Sequence, residues 1–171
     1  MRSMVTFVRL AGAGMLLMTS VASAQATKAQ TAVASAMRGA KHVALADAMQ
    51  TATASGKPLS ARYEFEDGRL KLSVFIEKDG AYKELFFDHM TGKVAQTDKI
   101  TEGDDLKDAK AQSKASAKAT GSLIGAVSKA LAANRGYIAV EVAPVLEGKH
   151  VVAEITLMKD GQFKGVSEPI S

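Results

Sequence analysis

The residues best suited to acid–base or metal chemistry near neutral pH are the three histidines, His42, His89 and His150. They are far apart in the sequence, and no H-x-x-x-H or H-E-x-x-H motif occurs. We therefore predict that His42 is a solvated helix residue. His89 is predicted to lie in a turn beside Asp88, and His150 at a strand edge. The sequence predicts no metal site and no cofactor.

Other chemically active arrangements are also missing from the sequence. There is no G-x-S-x-G motif around any serine, and the chain has no cysteine. The acidic clusters at 64–67 and 102–105 could attract Ca²⁺, but neither has EF-hand spacing, and we interpret them as a solvated strand edge and a linker. A lysine stripe between residues 107 and 118 could contact anionic lipid or DNA, although a solvated helix face is the favoured interpretation. We predict that the protein is not an enzyme.

The start of the chain has the features of a secretion signal. Arg2 and Arg9 both lie before a short apolar stretch at residues 10–18. Ala22-Ser23-Ala24 then forms an A-x-A cleavage site. We predict a signal peptide at residues 1–24, cleaved after Ala24, and a periplasmic or secreted bacterial protein without stable membrane insertion. The alternative is an N-terminal anchor that stays uncleaved. Since Arg2 and Arg9 are the only charged residues before residue 25, the net charge of +4 falls to about +2 on cleavage, which argues against nucleic acid as a partner.

The remaining sequence predicts an α+β fold built from two tandem repeats. Each repeat has one or two helical segments followed by an antiparallel meander of three or four strands, because the apolar period changes from 3.6 to 2. Repeat 1 spans 25–98, a junction spans 99–108, and repeat 2 spans 109–171. Helix-ending glycines and Lys-Asp-Gly turns recur about 80 residues apart in the two halves.

Local signals predict the elements within each repeat. Helices are expected at 26–37, 40–53 and 105–119, and a fourth begins after the plausible N-cap Ser122. Asp-Gly and Glu-Gly pairs predict two-residue hairpin loops, including Glu147-Gly148. Each repeat is small for an independent core, so we expect the two repeats to stabilise each other. Their sheets could together form one concave surface.

The first repeat resembles a PepSY domain over residues 43–97. The likeness is carried by the Ala-rich helix ending at Gly56, the strand at 63–65 with its Asp-Gly turn, and above all the closing D-H-M-T-G-K sequence at 88–93. In that sequence Asp88 can accept backbone N–H bonds, Thr91 precedes the glycine, and Gly92 can adopt a positive φ. The second repeat lacks the Asp-x-x-Thr-Gly pattern and resembles a degenerate PepSY repeat. The paired layout also resembles that of tandem-repeat β-lactamase-inhibitory proteins.

These resemblances imply binding rather than catalysis. PepSY domains accompany secreted peptidases and are thought to restrain them, so we expect a non-enzymatic binding module that acts through its sheet face on a protein or peptide of the cell envelope. Such a module could be a peptidase inhibitor or regulator. The alternative is a ligand- or metal-sensing accessory protein that uses the turn around Asp88 and His89.

Three aromatic residues are the predicted partner-binding patch. Phe75 lies on the otherwise polar face of its strand, and Tyr82 and Phe86 share one face of the next strand. If this face is open, the three rings could form a contact surface for a protein partner. If helices or the second repeat cover it, they are core residues.

Overall fold

The structure is a computed structural model, and it describes residues 26–171. The predicted signal peptide at 1–24 therefore lies outside the described residues. Helices and strands follow one another as an α+β fold, which confirms the predicted class. In chain order the elements are α1 (Lys28–Met37), α2 (Leu45–Ala52), β1 (Lys57–Glu66), β2 (Arg69–Lys78), β3 (Ala81–Phe87), β4 (Val94–Ile100), α3 (Gly103–Ser116), α4 (Leu123–Ala133), β5 (Ile138–Glu147), β6 (His150–Lys159) and β7 (Gln162–Pro169).

All seven strands belong to one antiparallel sheet with the order β4-β3-β2-β1-β5-β6-β7. The two halves of the chain meet where β1 pairs with β5, at Ala61 opposite Val142 and Arg62 opposite Glu141. The sequence had suggested two sheets forming one surface. The structure instead has a single continuous sheet, with four strands from the first half and three from the second.

Of the four two-residue hairpin loops in the described chain, three are Asp-Gly pairs, as predicted. In the loops at 67–68, 79–80 and 160–161 both residues have positive φ, near 52° and 76°, the backbone twist that suits tight hairpins. The hairpin between β5 and β6 differs from the prediction by one residue. Its loop is Gly148-Lys149 rather than Glu147-Gly148, because Glu147 remains in β5 and pairs with His150.

The first face of the sheet carries the main core. Helices α1, α2 and α4 pack there against alternate residues of the central strands, which are almost completely buried. The shared core contains residues of both halves, including Leu45 and Met49 of α2, Val127 of α4, Val74 of β2 and Ile155 of β6.

Helix α3 lies on the second face, apart from the other three helices. Its Ala109 packs with Leu59, Phe75 and Ile100 in a separate small cluster. Near the end of the helix Ala115 is buried against the main core, and polar contacts hold the helix as well. The Ser60 hydroxyl donates to the Gln112 amide oxygen at 2.8 Å, the Ser113 hydroxyl bonds Glu77, and the Lys57 ammonium donates to the Ser116 carbonyl at 3.2 Å. The second face is therefore covered at one end of the central strands.

The helix boundaries differ most from prediction at α2. The second helix was expected from about residue 40, but it begins at Leu45. Gly39 has a φ of +77°, and the backbone N–H of Val43 donates to the His89 carbonyl at 2.9 Å. Residues 38–44 thus form an extended connection tied to the sheet instead of a helical turn. At α4 the predicted cap is confirmed, since the Ser122 hydroxyl accepts from the Gly125 N–H at 3.0 Å.

Gly56 lies between α2 and β1, where the close approach of the β2 backbone leaves no room for a side chain. A Cβ at this position would lie 2.7 Å from the Glu77 carbonyl oxygen and 3.1 Å from the Ile76 side chain. We expect Gly56→Ala to lower the free energy of unfolding by about 1–3 kcal/mol, measured by urea denaturation, because the β2 backbone must move. The matched control is Gly165→Ala in β7, whose Cβ would meet nothing within 4 Å. Equal stability of the two variants would contradict this account.

Candidate functional site

Phe75 is buried rather than exposed. Its ring is 4% exposed under α3, in the cluster with Leu59 and Ala109, and the Arg62 guanidinium lies 4.9 Å from the ring centroid. This corrects the predicted patch of three exposed aromatic residues. The sequence places Phe75 correctly on the polar face of β2, but a helix some 30 residues further along the chain covers it.

The other two aromatic residues of the predicted patch lie at different places on the same face. Tyr82 is half-buried and packs with Leu106 at the edge of the α3 cluster. Phe86 is half-buried beyond α3, with the Lys71 ammonium 5.8 Å from its ring centroid. Of the three, Phe86 is therefore the one on the part of the face that α3 leaves uncovered.

A row of side chains crosses five neighbouring strands beside α3 on the second face. We call it the central row: Phe86, Ser73, Arg62, Glu141 and Thr156 are successive register partners from β3 to β6. Arg62 Nε lies 3.2 Å from a Glu64 carboxylate oxygen, and each of the two side chains is 15% exposed. The hydroxyls of Ser73 and Thr156 donate to Glu64 and Glu141 at 3.3 and 3.2 Å.

Carboxylates crowd around the single guanidinium of this row. Burial raises the pKa of Glu84 to about 7, with nearby Glu64 and Asp105 adding to the rise while Arg62 and Ser73 oppose it. Burial, with Glu147 and Glu141, also raises the pKa of Glu154. The interpretation of Glu64 as part of a solvated strand edge is thus corrected. The face carries more carboxylate than its own cations neutralise, so an additional cation would be stabilised there.

The structure brings two of the three histidines together. His42 Nδ1 and His89 Nδ1 are 3.0 Å apart, and the His42 ring meets Tyr63 edge-on at 6.2 Å between centroids. His42 is half-buried in the connection between α1 and α2, so its prediction as a solvated helix residue is wrong. His150 is exposed at the first position of β6. No spacing rule could reveal the contact, because 47 residues separate its two members.

Local hydrogen bonds hold the D-H-M-T-G turn, which contains His89, in one conformation. The Asp88 carboxylate accepts from the backbone N–H groups of Met90 and Thr91 at 2.9 and 2.8 Å, and these bonds lower its pKa. Gly92 has a φ of +72°, and its N–H donates to the Asp88 carbonyl. A Cβ at Gly92 would lie 3.3 Å from the Val43 side chain, so the turn also needs a small residue against the α1–α2 connection.

Within residues 26–171 there is no group of three or more His, Cys, Asp or Glu side chains placed to hold a metal ion. A pocket of about 310 Å³ lies between α2, the α3–α4 connection and the start of β1. It is lined mainly by apolar groups and carries neither a carboxylate nor a histidine. The lysines of α3 at 107, 110 and 114 are exposed, and Lys107 pairs with Asp104 at 2.8 Å.

Comparison of the chain with protein-family models, with curated proteins and with solved structures found no match. The PepSY resemblance therefore rests on the residues quoted above. None of the helices in the described part of the chain combines the length and the apolar character that a membrane span needs.

The different burial of Phe75 and Phe86 should give different losses of stability when each ring is removed. We expect Phe75→Ala to cost about 3–5 kcal/mol of unfolding free energy, because it empties the core under α3. Phe86→Ala should cost much less, since that ring is only half-buried. Urea denaturation of both variants checks the difference, and a small effect at Phe75 would contradict the burial described here.

Glu84 should make stability depend on pH. Its pKa is raised from 4.5 to about 7 in the folded protein, so between these values the folded state binds more protons than the unfolded state, and stability falls as the pH rises. Glu84→Gln mimics the protonated form. We expect this variant to be more stable than the wild type at pH 8 and to lose most of that advantage at pH 5.

The matched control for Glu84 is Glu102→Gln, which removes an exposed carboxylate outside the sheet. Urea unfolding curves at both pH values make the comparison. An advantage of Glu84→Gln that is the same at pH 5 and pH 8 would contradict the raised pKa.

Proposed function

We propose that the protein is a non-enzymatic binding module of the PepSY type, exported to the periplasm or secreted after cleavage behind Ala24, that holds a protein or peptide partner on its second sheet face. The observation that carries the proposal is the central row. Its side chains come from five adjacent strands on a face that α3 covers only at one end, and all but the buried Ser73 are partly exposed. The row joins both halves of the chain, so a partner can contact both at once.

The charge of this face favours a basic partner. Arg62 and Lys71 are two of its cations, and both already contact carboxylates, those of Glu64 and Glu66. Glu84 and Glu154, in contrast, have raised pKa values, mainly because of burial and additionally because further carboxylates lie near them. A lysine or arginine of a partner would relieve this repulsion and take up the charge.

The row also offers an apolar contact at one end. Phe86 is half-buried, with Lys71 near its ring, and an aromatic ring of this kind gives a large contact area at a low cost in side-chain entropy. We infer that the partner segment presents a basic side chain next to an apolar one. A secreted peptidase or another envelope protein with such a segment fits both this chemistry and the PepSY resemblance.

The proposal predicts that two small changes in the row abolish partner capture. The mature chain is immobilised, exposed to periplasmic and secreted extract, and the retained proteins are identified by mass spectrometry. We expect the double variant Glu141→Gln/Phe86→Ser to lose at least about tenfold of the captured partner, because it removes one charge and one apolar contact. Glutamine at 141 keeps an oxygen that can accept from Thr156, so the local fold is preserved.

The control is Asp47→Asn, which removes an exposed carboxylate from α2 on the opposite side of the sheet. It should retain full capture, and capture by the wild type should weaken with added salt. Equal capture by the double variant and the wild type would show that the partner binds elsewhere.

A further inference from the structure

The contact between His42 and His89, which we call the histidine pair, joins two parts of the chain that otherwise meet through few bonds. His42 belongs to the connection between α1 and α2, and His89 to the turn that follows β3. Besides the histidine pair, the Val43 N–H donates to the His89 carbonyl at 2.9 Å, and the Tyr63 hydroxyl donates to the Val43 carbonyl at 2.5 Å. The hydrogen bonds of this junction are thus concentrated on His42 and Val43.

The surroundings of His42 determine which nitrogen carries its proton. Nε2 of His42 is buried without a hydrogen-bond partner. A proton on that atom would be an unsatisfied buried donor, which is costly. The stable neutral form therefore has the proton on Nδ1 and donates it to Nδ1 of His89, which accepts with its lone pair.

This arrangement cannot accommodate added protons. A proton on His89 Nδ1 converts the acceptor into a donor that faces the N–H of His42 at 3.0 Å. If His42 gave up its own Nδ1 proton, that proton would have to move to the buried Nε2. A proton added to His42 has the same destination, so every charged form of the histidine pair loses the hydrogen bond or places an N–H on the buried Nε2.

The other titratable groups that face the histidine pair do not stabilise its charged forms. From β1, Tyr63 is held by the Val43 carbonyl, and burial raises its pKa further above the physiological range. From the turn, Asp88 is the charged neighbour of His89, but its carboxylate is occupied by the amides of Met90 and Thr91. Burial and the charge of His89 lower the pKa of His42, and together they outweigh the backbone of Met37, which raises it.

The histidine pair is also poorly suited to bind a metal ion. Two imidazoles on one tetrahedral Zn²⁺, with Zn–N near 2.05 Å, would stand about 3.3 Å apart, close to the spacing seen. Binding through Nδ1 would, however, place the His42 proton on Nε2, where a metal-bound histidine needs an acceptor. The described residues also supply no third ligand of the His, Cys, Asp or Glu type.

We propose that the histidine pair is a proton-sensitive latch, which fixes the α1–α2 connection to the D-H-M-T-G turn at neutral pH and opens on acidification. The sign follows from linkage. In the unfolded or open chain His42 takes up a proton below pH about 6.5, whereas in the latched form its pKa is lower, so the latch weakens as the pH falls below this value. Opening frees the segment that carries α1, whose Val33 and Met37 are buried in the main core. The latch lies apart from the central row and does not depend on the function proposed for it.

Hydrogen exchange of the Val43 amide, measured by NMR on the mature chain, tests the latch. Protection factors, which correct for the intrinsic pH dependence of exchange, are compared at pH 7 and pH 5 in the presence of EDTA. We expect Val43 to lose about tenfold or more of its protection at pH 5, while the core amide of Val74 stays protected, so that local opening is distinguished from global unfolding.

The matched variants are His89→Asn and His150→Asn. Asparagine at 89 places an uncharged acceptor near the position of Nδ1, so Val43 protection should depend less on pH, whereas the His150 variant should behave like the wild type. Unchanged Val43 protection in the wild type at pH 5, or an equal loss in His89→Asn, would overturn the latch. If His89→Asn does not fold, ring titration of the wild type decides, since a His42 midpoint equal to that of His150 overturns the proposal and a lower one supports it. Zn²⁺ added without EDTA at pH 7 that raises Val43 protection would replace the latch by a metal site.

Discussion

The short pairing between β1 and β5 is the contact on which the rest of the structure depends. Each half of the chain has too few residues to bury a core of its own efficiently, and without this pairing both β1 and β5 would be open sheet edges. With it, Ala61 and Val142 are almost completely buried next to each other, and one core runs under the whole sheet. The same pairing sets Arg62 beside Glu141 and so creates the middle of the central row.

The sheet order requires a long connection between β4 and β5, which α3 and then α4 supply. β4 is at one edge and β5 is beside β1, so the chain must cross four strand spacings, about 19 Å. The 14 residues of α3 span about 21 Å as a helix. A helix of this length reaches from the β4 edge to the middle of the sheet, where α3 contacts β1 and β5, and α4 follows before β5 begins. Helix α3 covers Phe75 on the way and leaves the central row at its side, which gives the second face a buried end and an uncovered end.

Glu84 and His42 have pKa values shifted in opposite directions, and burial is the main cause of both shifts. The carboxyl of Glu84 is held among other acids, so its neutral form is favoured in the folded state. His42 has a buried nitrogen without an acceptor, so its neutral form is favoured as well. Neutral Glu84 is the protonated form and neutral His42 is the unprotonated form. Acidification therefore neutralises Glu84 and lowers the charge repulsion on the sheet face, whereas protonation of His42 weakens the junction between the α1–α2 connection and the D-H-M-T-G turn.

The sequence by itself determined the features that depend on neighbouring residues. The Asp-Gly hairpins, the Ser122 cap and the alternating faces of β2 could be predicted because turns, caps and strand periodicity involve contacts between residues a few positions apart. Even there the start of α2 was misplaced, since alanine-rich sequence permits a helix that the bond from Val43 to His89 prevents. Only the tertiary structure decided that β1 pairs with β5, that α3 covers Phe75, and that His42 meets His89. Those contacts join residues that are more than 30 positions apart, beyond the reach of any local motif, and they are selected by how the whole chain can bury its apolar surface.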